Sequence, residues 1–222
     1  MSSDPAPSSP APFFNAPAGV VGLCGLLIAA HGLRMIIPYG WQNEAFYWLA
    51  LIPERLNLMV NGGGQDAYGP LSLLAAVFGH VTLHGDWMHV LLNTGMLLTL
   101  GTPVARRQGL AKFLIIFLVA SAAGAAVYFA LRLPDGAPAI GASGGVSGIL
   151  AAAFLIMAGP RAGWPEMVSR SFLQTSLAFL ALNLIIWFAG PSLFGAAIAW
   201  DAHIGGYVGG ALMMAAFSGR SH

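Results

Sequence analysis

Hydrophobic positions in this chain run in long blocks, with little of the alternation that marks strands or the narrow stripes that mark helices half-exposed to water. An apolar stretch of about 20 residues is long enough to cross a bilayer as a helix. Six segments read this way: Ala18–Pro38, Trp87–Val104, Leu110–Leu131, Ser143–Ala158, Ser171–Ala189 and Gly195–Phe217. The fourth is short, and the sixth contains Asp201 and His203. Short or polar-interrupted segments must face protein or a water-filled cavity. The pattern predicts an all-α membrane protein, a six-transmembrane-helix bundle with a long outer loop between helices one and two. Residues 1–16, rich in Pro, Ser and Ala, read as a disordered cytoplasmic tail, and residues 17–218 as the membrane domain.

Composition agrees with the pattern. The chain is 57% hydrophobic and 8% charged, against roughly 25% charged in a soluble domain. A net charge of +1 gives no reason to expect a nucleic-acid partner. The single cysteine, Cys24, excludes an intramolecular disulfide and reads as a small core residue. The first sixteen residues carry no Lys or Arg, unlike a secretory signal or an Arg-rich transit peptide.

Basic residues in short loops orient membrane helices. Arg106, Arg107, Lys112, Arg161, Arg170 and Arg220 fall on one side of the predicted bundle, and Arg34, Arg55 and Arg132 on the other. Both termini are therefore expected to be cytoplasmic. The connection from Tyr39 to Asp86 then lies outside. It holds Trp41, the run Phe46-Tyr47-Trp48, an Asn61-Gly62-Gly63-Gly64 turn and an apolar stretch from Leu71 to Phe78. It is read either as an interfacial anchor, where Trp and Tyr are at home, or as an ordered functional loop.

In this topology the second, fourth and sixth spans enter from the outer side, and each carries its unusual polar residues early. His89 and Asn93 are four apart and share a helix face. Ser143 follows Pro134, Asp135, Gly136 and Pro138, which break the preceding helix. It therefore sits near a helix N-terminus, where free N–H groups stabilise negative charge. Gly145-Val146-Ser147-Gly148 repeats the Gly-x-Ser-Gly pattern of Gly141-Ala142-Ser143-Gly144 one turn, about 6 Å, deeper. Ser143 is nearer the free N–H groups, and Ser147 is expected on the same face below it. His203 titrates near neutrality in its unperturbed state, as a base requires. Asp201 is two residues away and on a different face. It is expected to face solvent at the helix mouth, leaving a Ser–His dyad. Each polar residue also has a packing role open to it, as a cap or an interhelical link. Gly144 and Gly148 on one span, and Gly206 and Gly210 on the other, have the spacing that lets helix backbones approach closely.

Taken together, His84-x4-His89-x3-Asn93, Gly141-Ala142-Ser143-Gly144 and Ala202-His203-x2-Gly206 resemble the rhomboid family of intramembrane serine proteases. The resemblance implies a rhomboid-like bundle with Ser143 as nucleophile and His203 as general base. It implies an oxyanion hole formed by the Ser143 N–H with the His89 and Asn93 side chains. The implied partner is a transmembrane protein substrate in the lipid bilayer, cut near the outer face at small residues. Two features depart from the family pattern. No Trp-Arg pair occurs between Met59 and His80, so the first loop is expected to be anchored differently. The family's aromatic residue one turn after the serine is Ser147 here, and Tyr207 is a candidate to support the His203 ring instead.

No cofactor is expected, and no metal, because His84 and His89 lack a third partner at ligand spacing. His31 reads as a packed or interfacial residue. The alternative function is a non-proteolytic rhomboid-like adaptor that binds client helices. A small transporter is a further rival, without a repeated half-structure in its favour. The expected location is a bacterial inner membrane.

Overall fold

The computed structural model describes residues 15–194 and 198–218. Most of the predicted tail, residues 195–197 of the sixth predicted span, Arg220 and His222 lie outside the described residues. Among the described residues the chain is all-α: α1 (Ala18–Ile36), α2 (Tyr39–Leu49), α3 (Pro53–Val60), α4 (Pro70–Gly79), α5 (Trp87–Met96), α6 (Thr102–Arg132), α7 (Ser143–Ala158), α8 (Trp164–Met167), α9 (Arg170–Phe194) and α10 (Trp200–Ser218).

Among the described residues, three continuous helical stretches are long and apolar enough to cross a membrane: Ala18–Ile36, Trp87–Arg132 and Arg170–Ala189. The second begins where Asp86 caps it, its carboxylate accepting the His89 N–H at 2.8 Å. A π-helical segment, Leu97–Gly101, joins α5 to α6. Its 46 residues are not one straight rod. Gly109, inside α6, has φ 77° and ψ 164°. A Cβ built on Gly101 would lie 3.0 Å from the Phe113 ring. Residues twelve apart on a straight helix are about 18 Å apart. The chain therefore reverses at Gly109, between the segments predicted as the second and third spans.

The core is the packing of α7 between α6 and α10. Helix α7 is buried along most of its length, with Val146, Ile149 and Leu155 against Phe113, Phe117 and Met214. Small residues set the spacing. A methyl group at Gly206 would overlap the Gly144 carbonyl, and one at Gly210 would overlap Gly148 Cα. One at Gly148 would come within 2.8 Å of the Gly206 carbonyl oxygen. On the other side, Gly124 of α6 faces the Ala202 carbonyl at 2.6 Å from its would-be Cβ. Helix α9 packs more loosely, and Leu177, Ile185 and Phe188 point outward.

The 39–86 connection is not a loose loop, because α2, α3 and α4 fold within it. Its centre is Arg55, buried between aromatic rings, with its guanidinium carbon 3.8 Å from the Tyr47 ring centre and 4.2 Å from that of Tyr68. The guanidinium also donates to the backbone carbonyls of Asp66, at 3.0 Å, and Tyr47. Tyr68 donates to the Ala50 carbonyl at 2.6 Å and accepts the Ile52 N–H at 3.0 Å. A desolvated cation between rings is worth about 2 kcal/mol or more. Arg55 thus anchors the connection in which the Trp-Arg pair is missing.

Two measurements test this packing. Gly206→Ala is expected to destabilise the protein by about 1–3 kcal/mol through overpacking, seen as a lower thermal midpoint in detergent. Gly22→Ala, where a Cβ meets nothing within 4 Å, is expected to leave the midpoint unchanged or raise it. Arg55→Met should speed limited proteolysis at Asn61–Gly64, and Arg55→Lys should not restore protection, because a lysine cannot reproduce the planar fork.

Candidate active site

The peptide that leads into α7 is held from one side by the 39–86 connection. Ala139 pairs with Leu51 through two backbone hydrogen bonds of 3.0 and 2.9 Å. The Gly141 N–H donates to the His80 carbonyl at 2.9 Å, and the Ala142 N–H to His84 Nε2 at 3.4 Å. Burial, reinforced by His89 and His31 nearby, pushes the His84 pKa down to about 3. The ring is therefore neutral and keeps the lone pair this bond needs. His84 is itself tied to α1, since Arg34 donates to its carbonyl.

Gly141 has φ +116°, a conformation that side chains resist. A Cβ there would also sit 2.7 Å from His89 Nε2 and 3.9 Å from Ser143 Oγ. The same glycine thus lets the loop pass between His89 of α5 and Ser143 at the start of α7. The Gly85 N–H approaches His89 Nδ1 at 3.5 Å, a long contact, and Nε2 faces Gly141. Asn93 is buried one turn below, with Nδ2 donating to the His89 carbonyl at 2.9 Å. An amide nitrogen carries two hydrogens, so one remains.

Ser143 is the first residue of α7, where backbone N–H groups have no partner within the helix. Its Oγ lies 2.8 Å from His203 Nε2 on α10. Of the two Gly-x-Ser-Gly strings, the first therefore supplies the serine that meets the histidine, and Ser147 is buried one turn below. On its far side, His203 Nδ1 lies 2.8 Å from Asn183 Oδ1 on α9. Asn183 Nδ2 in turn donates to the Phe179 carbonyl at 3.0 Å. A carbonyl only accepts, so the amide must present its oxygen to the imidazole. Nδ1 must then carry the ring hydrogen, and Nε2 is left with the lone pair that accepts from the serine hydroxyl. Four groups on three helices thus fix one direction of proton donation.

A protein-family model described as Rhomboid domain matches residues 72–220, which include every group in this chain of hydrogen bonds. The chain belongs to the rhomboid family. The rhomboid protease GluP of Bacillus subtilis (strain 168) is 30% identical over 136 residues, 61% of this chain and 24% of that protein. This chain thus spans only a minor part of that relative's length. Family membership and the long apolar helices make it a multi-pass membrane protein.

Several residues of this rhomboid sit differently from the sequence expectation. Asp201 does not face solvent. It is fully buried, and Arg132 at the end of α6 donates to its carboxylate at 2.5 Å. A buried carboxylate needs such a partner, and the helix-wheel reading could not supply one from another helix. Tyr207 does not support the histidine ring. It stacks on Phe179 at 4.4 Å between ring centres, and its hydroxyl lies 2.7 Å from Ser176 Oγ. The expected Ser–His pair also omitted Asn183. A signal was present: from Leu177 to Ala189, Asn183 is the one hydrogen-bonding side chain apart from Trp187. The rule that polar groups in lipid mark functional sites applied to it. His31 is packed edge-on against Trp87 at 4.7 Å, outside the serine site.

Gly141→Ala is expected to cost about 1–3 kcal/mol from backbone strain and the His89 clash. Gly64→Ala, whose Cβ meets nothing within 4 Å, serves as the neutral control in the same thermal unfolding series.

Proposed function

We propose that this rhomboid is an intramembrane serine endopeptidase that cleaves transmembrane segments of other membrane proteins. The observation that carries the reading is the 2.8 Å contact between Ser143 Oγ and His203 Nε2. A hydroxyl aimed at an unprotonated imidazole nitrogen is the starting geometry for general-base activation. A non-proteolytic adaptor has no need of it.

In the proposed reaction His203 Nε2 takes the Ser143 proton as Oγ attacks the carbonyl carbon of the scissile peptide. The electron pair of the C=O bond moves onto oxygen. That oxyanion is held by the Ser143 N–H with His89 Nε2–H and the free Asn93 N–H. His203 then returns its proton to the departing amine, and the C–N bond breaks to leave an acyl-enzyme. Water, deprotonated by the same nitrogen, releases the acyl group. Preorganised donors that need no rearrangement are the largest single contribution to such chemistry. The bracing of Gly141 and Ala142 by His80 and His84 supports that role.

The proposed topology has six crossings with both termini cytoplasmic, in a bacterial inner membrane. The bundle's contacts agree with that orientation. Arg106, Arg107 and Gln108 bond Asn15, Pro160 and Ser218 at one end. Arg34, Arg132 and the 39–86 connection gather at the other, beside Ser143. The substrate would enter from the outer leaflet, unwound near small residues.

The test is cleavage of a model transmembrane substrate in proteoliposomes. Ser143→Ala and His203→Ala are each expected to abolish turnover, and Ser147→Ala to leave it within a few-fold. His89→Ala and Asn93→Ala should each cost about 10²–10³ in kcat. Cleavage that survives Ser143→Ala would remove the protease reading of this site.

A further inference from the structure

We infer that Asn183 is a positioning residue for His203, its amide oxygen accepting the Nδ1–H and so holding the Nε2 lone pair on the Ser143 hydroxyl. This rests on the reading of Ser143 and His203 as nucleophile and base. The bond to Asn183 equals the bond to Ser143 in length, 2.8 Å on each side of the ring. The imidazole is therefore fixed at both nitrogens, by α9 and by α7. Asn183 is itself fixed. It is buried, and its NH2 group donates one hydrogen to the Phe179 carbonyl one turn earlier. Flipping the amide would set oxygen against oxygen there and N–H against N–H at the histidine. The same face of α9 is clamped by Phe179 and Phe172 stacked on Tyr207, at 4.4 and 6.1 Å, and by Ser176 on the tyrosine hydroxyl. With Tyr207 engaged in that clamp, the hydrogen bond that Nδ1–H donates to Asn183 restrains the imidazole on the side away from Ser143.

The chemistry suits a neutral acceptor. During the reaction the Nδ1 proton stays where it is, and Nε2 alone exchanges protons with serine, leaving group and water. The imidazolium formed in between keeps its Nδ1–H···O=C bond and gains from the carbonyl dipole. An amide provides this at a smaller burial cost than a carboxylate would.

The experiment uses the full chain in proteoliposomes with the same model substrate, alongside Ser143→Ala. Asn183→Leu keeps the volume and removes the acceptor. Its expected effect is a fall in kcat of about 10²-fold or more, with KM within about threefold and an unchanged thermal midpoint. Asn183→Asp restores the acceptor with a charge. It is expected to recover most of kcat and to move the acid limb of the kcat/KM profile to higher pH, because the anion favours imidazolium. The other titratable groups facing this imidazole, His89 on α5 and Asp201 on α10, are unchanged in both variants, so the shift belongs to position 183. Nitrogen-15 NMR of His203 is expected to show the Nδ1–H tautomer in the wild type and a mixture in Asn183→Leu, and needs no turnover. The inference is overturned by wild-type kcat in Asn183→Leu, or by Nε2–H as the main wild-type tautomer. It is also overturned if both variants lose activity and thermal stability together, which marks a packing role alone. Cleavage by Ser143→Ala would instead sink the underlying protease reading, and the tautomer measurement would still report on Asn183.

Discussion

A hydrogen bond between side chains as short as serine and histidine demands that their helices almost touch. Serine reaches only one atom beyond Cβ, so α7 and α10 must approach more closely than ordinary apolar side chains allow. Gly144, Gly148, Gly206 and Gly210 remove the obstruction, and carbonyl oxygens lie where methyl groups would otherwise be. In lipid there is little hydrophobic drive to press helices together, and close van der Waals contact between small residues takes its place. The bundle's stability and the geometry of its reactive groups therefore depend on the same few positions.

Around that seam, several polar groups are satisfied by something on a different element. The Asp201 carboxylate meets Arg132 from α6. His203 meets Ser143 from α7 and Asn183 from α9. Gly141 and Ala142 meet His80 and His84 from the 39–86 connection. An unpaired polar group in a low-dielectric interior costs several times what a made hydrogen bond contributes. Such cross-links therefore act less as added stability than as a penalty on every other arrangement. That is a physical basis for one well-defined site in a bundle that otherwise packs through interchangeable aliphatic side chains.

Much of this was readable from the residues in order. The apolar blocks marked the long helices, the Pro134–Pro138 break marked the start of α7, and the paired glycines marked which helices could meet. What escaped was the set of partners chosen across helices. Periodicity states which residues share a face, not what stands opposite. Asp201 was read by its own helix and assigned to solvent, although its partner lies 69 residues away. Arg55 could not be told from any other loop cation, because its cage is built from Tyr47 and Tyr68 brought in by folding. Asn183 had the right chemistry in the right surroundings, but no spacing within its own segment tied it to position 203.

The enclosure of α7 by its neighbours has one more implication. A helix of 16 residues is about 24 Å long, shorter than the roughly 30 Å of a hydrocarbon core. It can be so short because it touches protein rather than lipid along most of its length. The depth of Ser143 is then referenced to the scaffold, while a helix diffusing in from the bilayer finds its own level by matching the local membrane. Under the proposed protease reading, the offset between those two rulers would select which peptide bond arrives at the serine, and bilayer thickness would become a determinant of cutting position without any change in this chain.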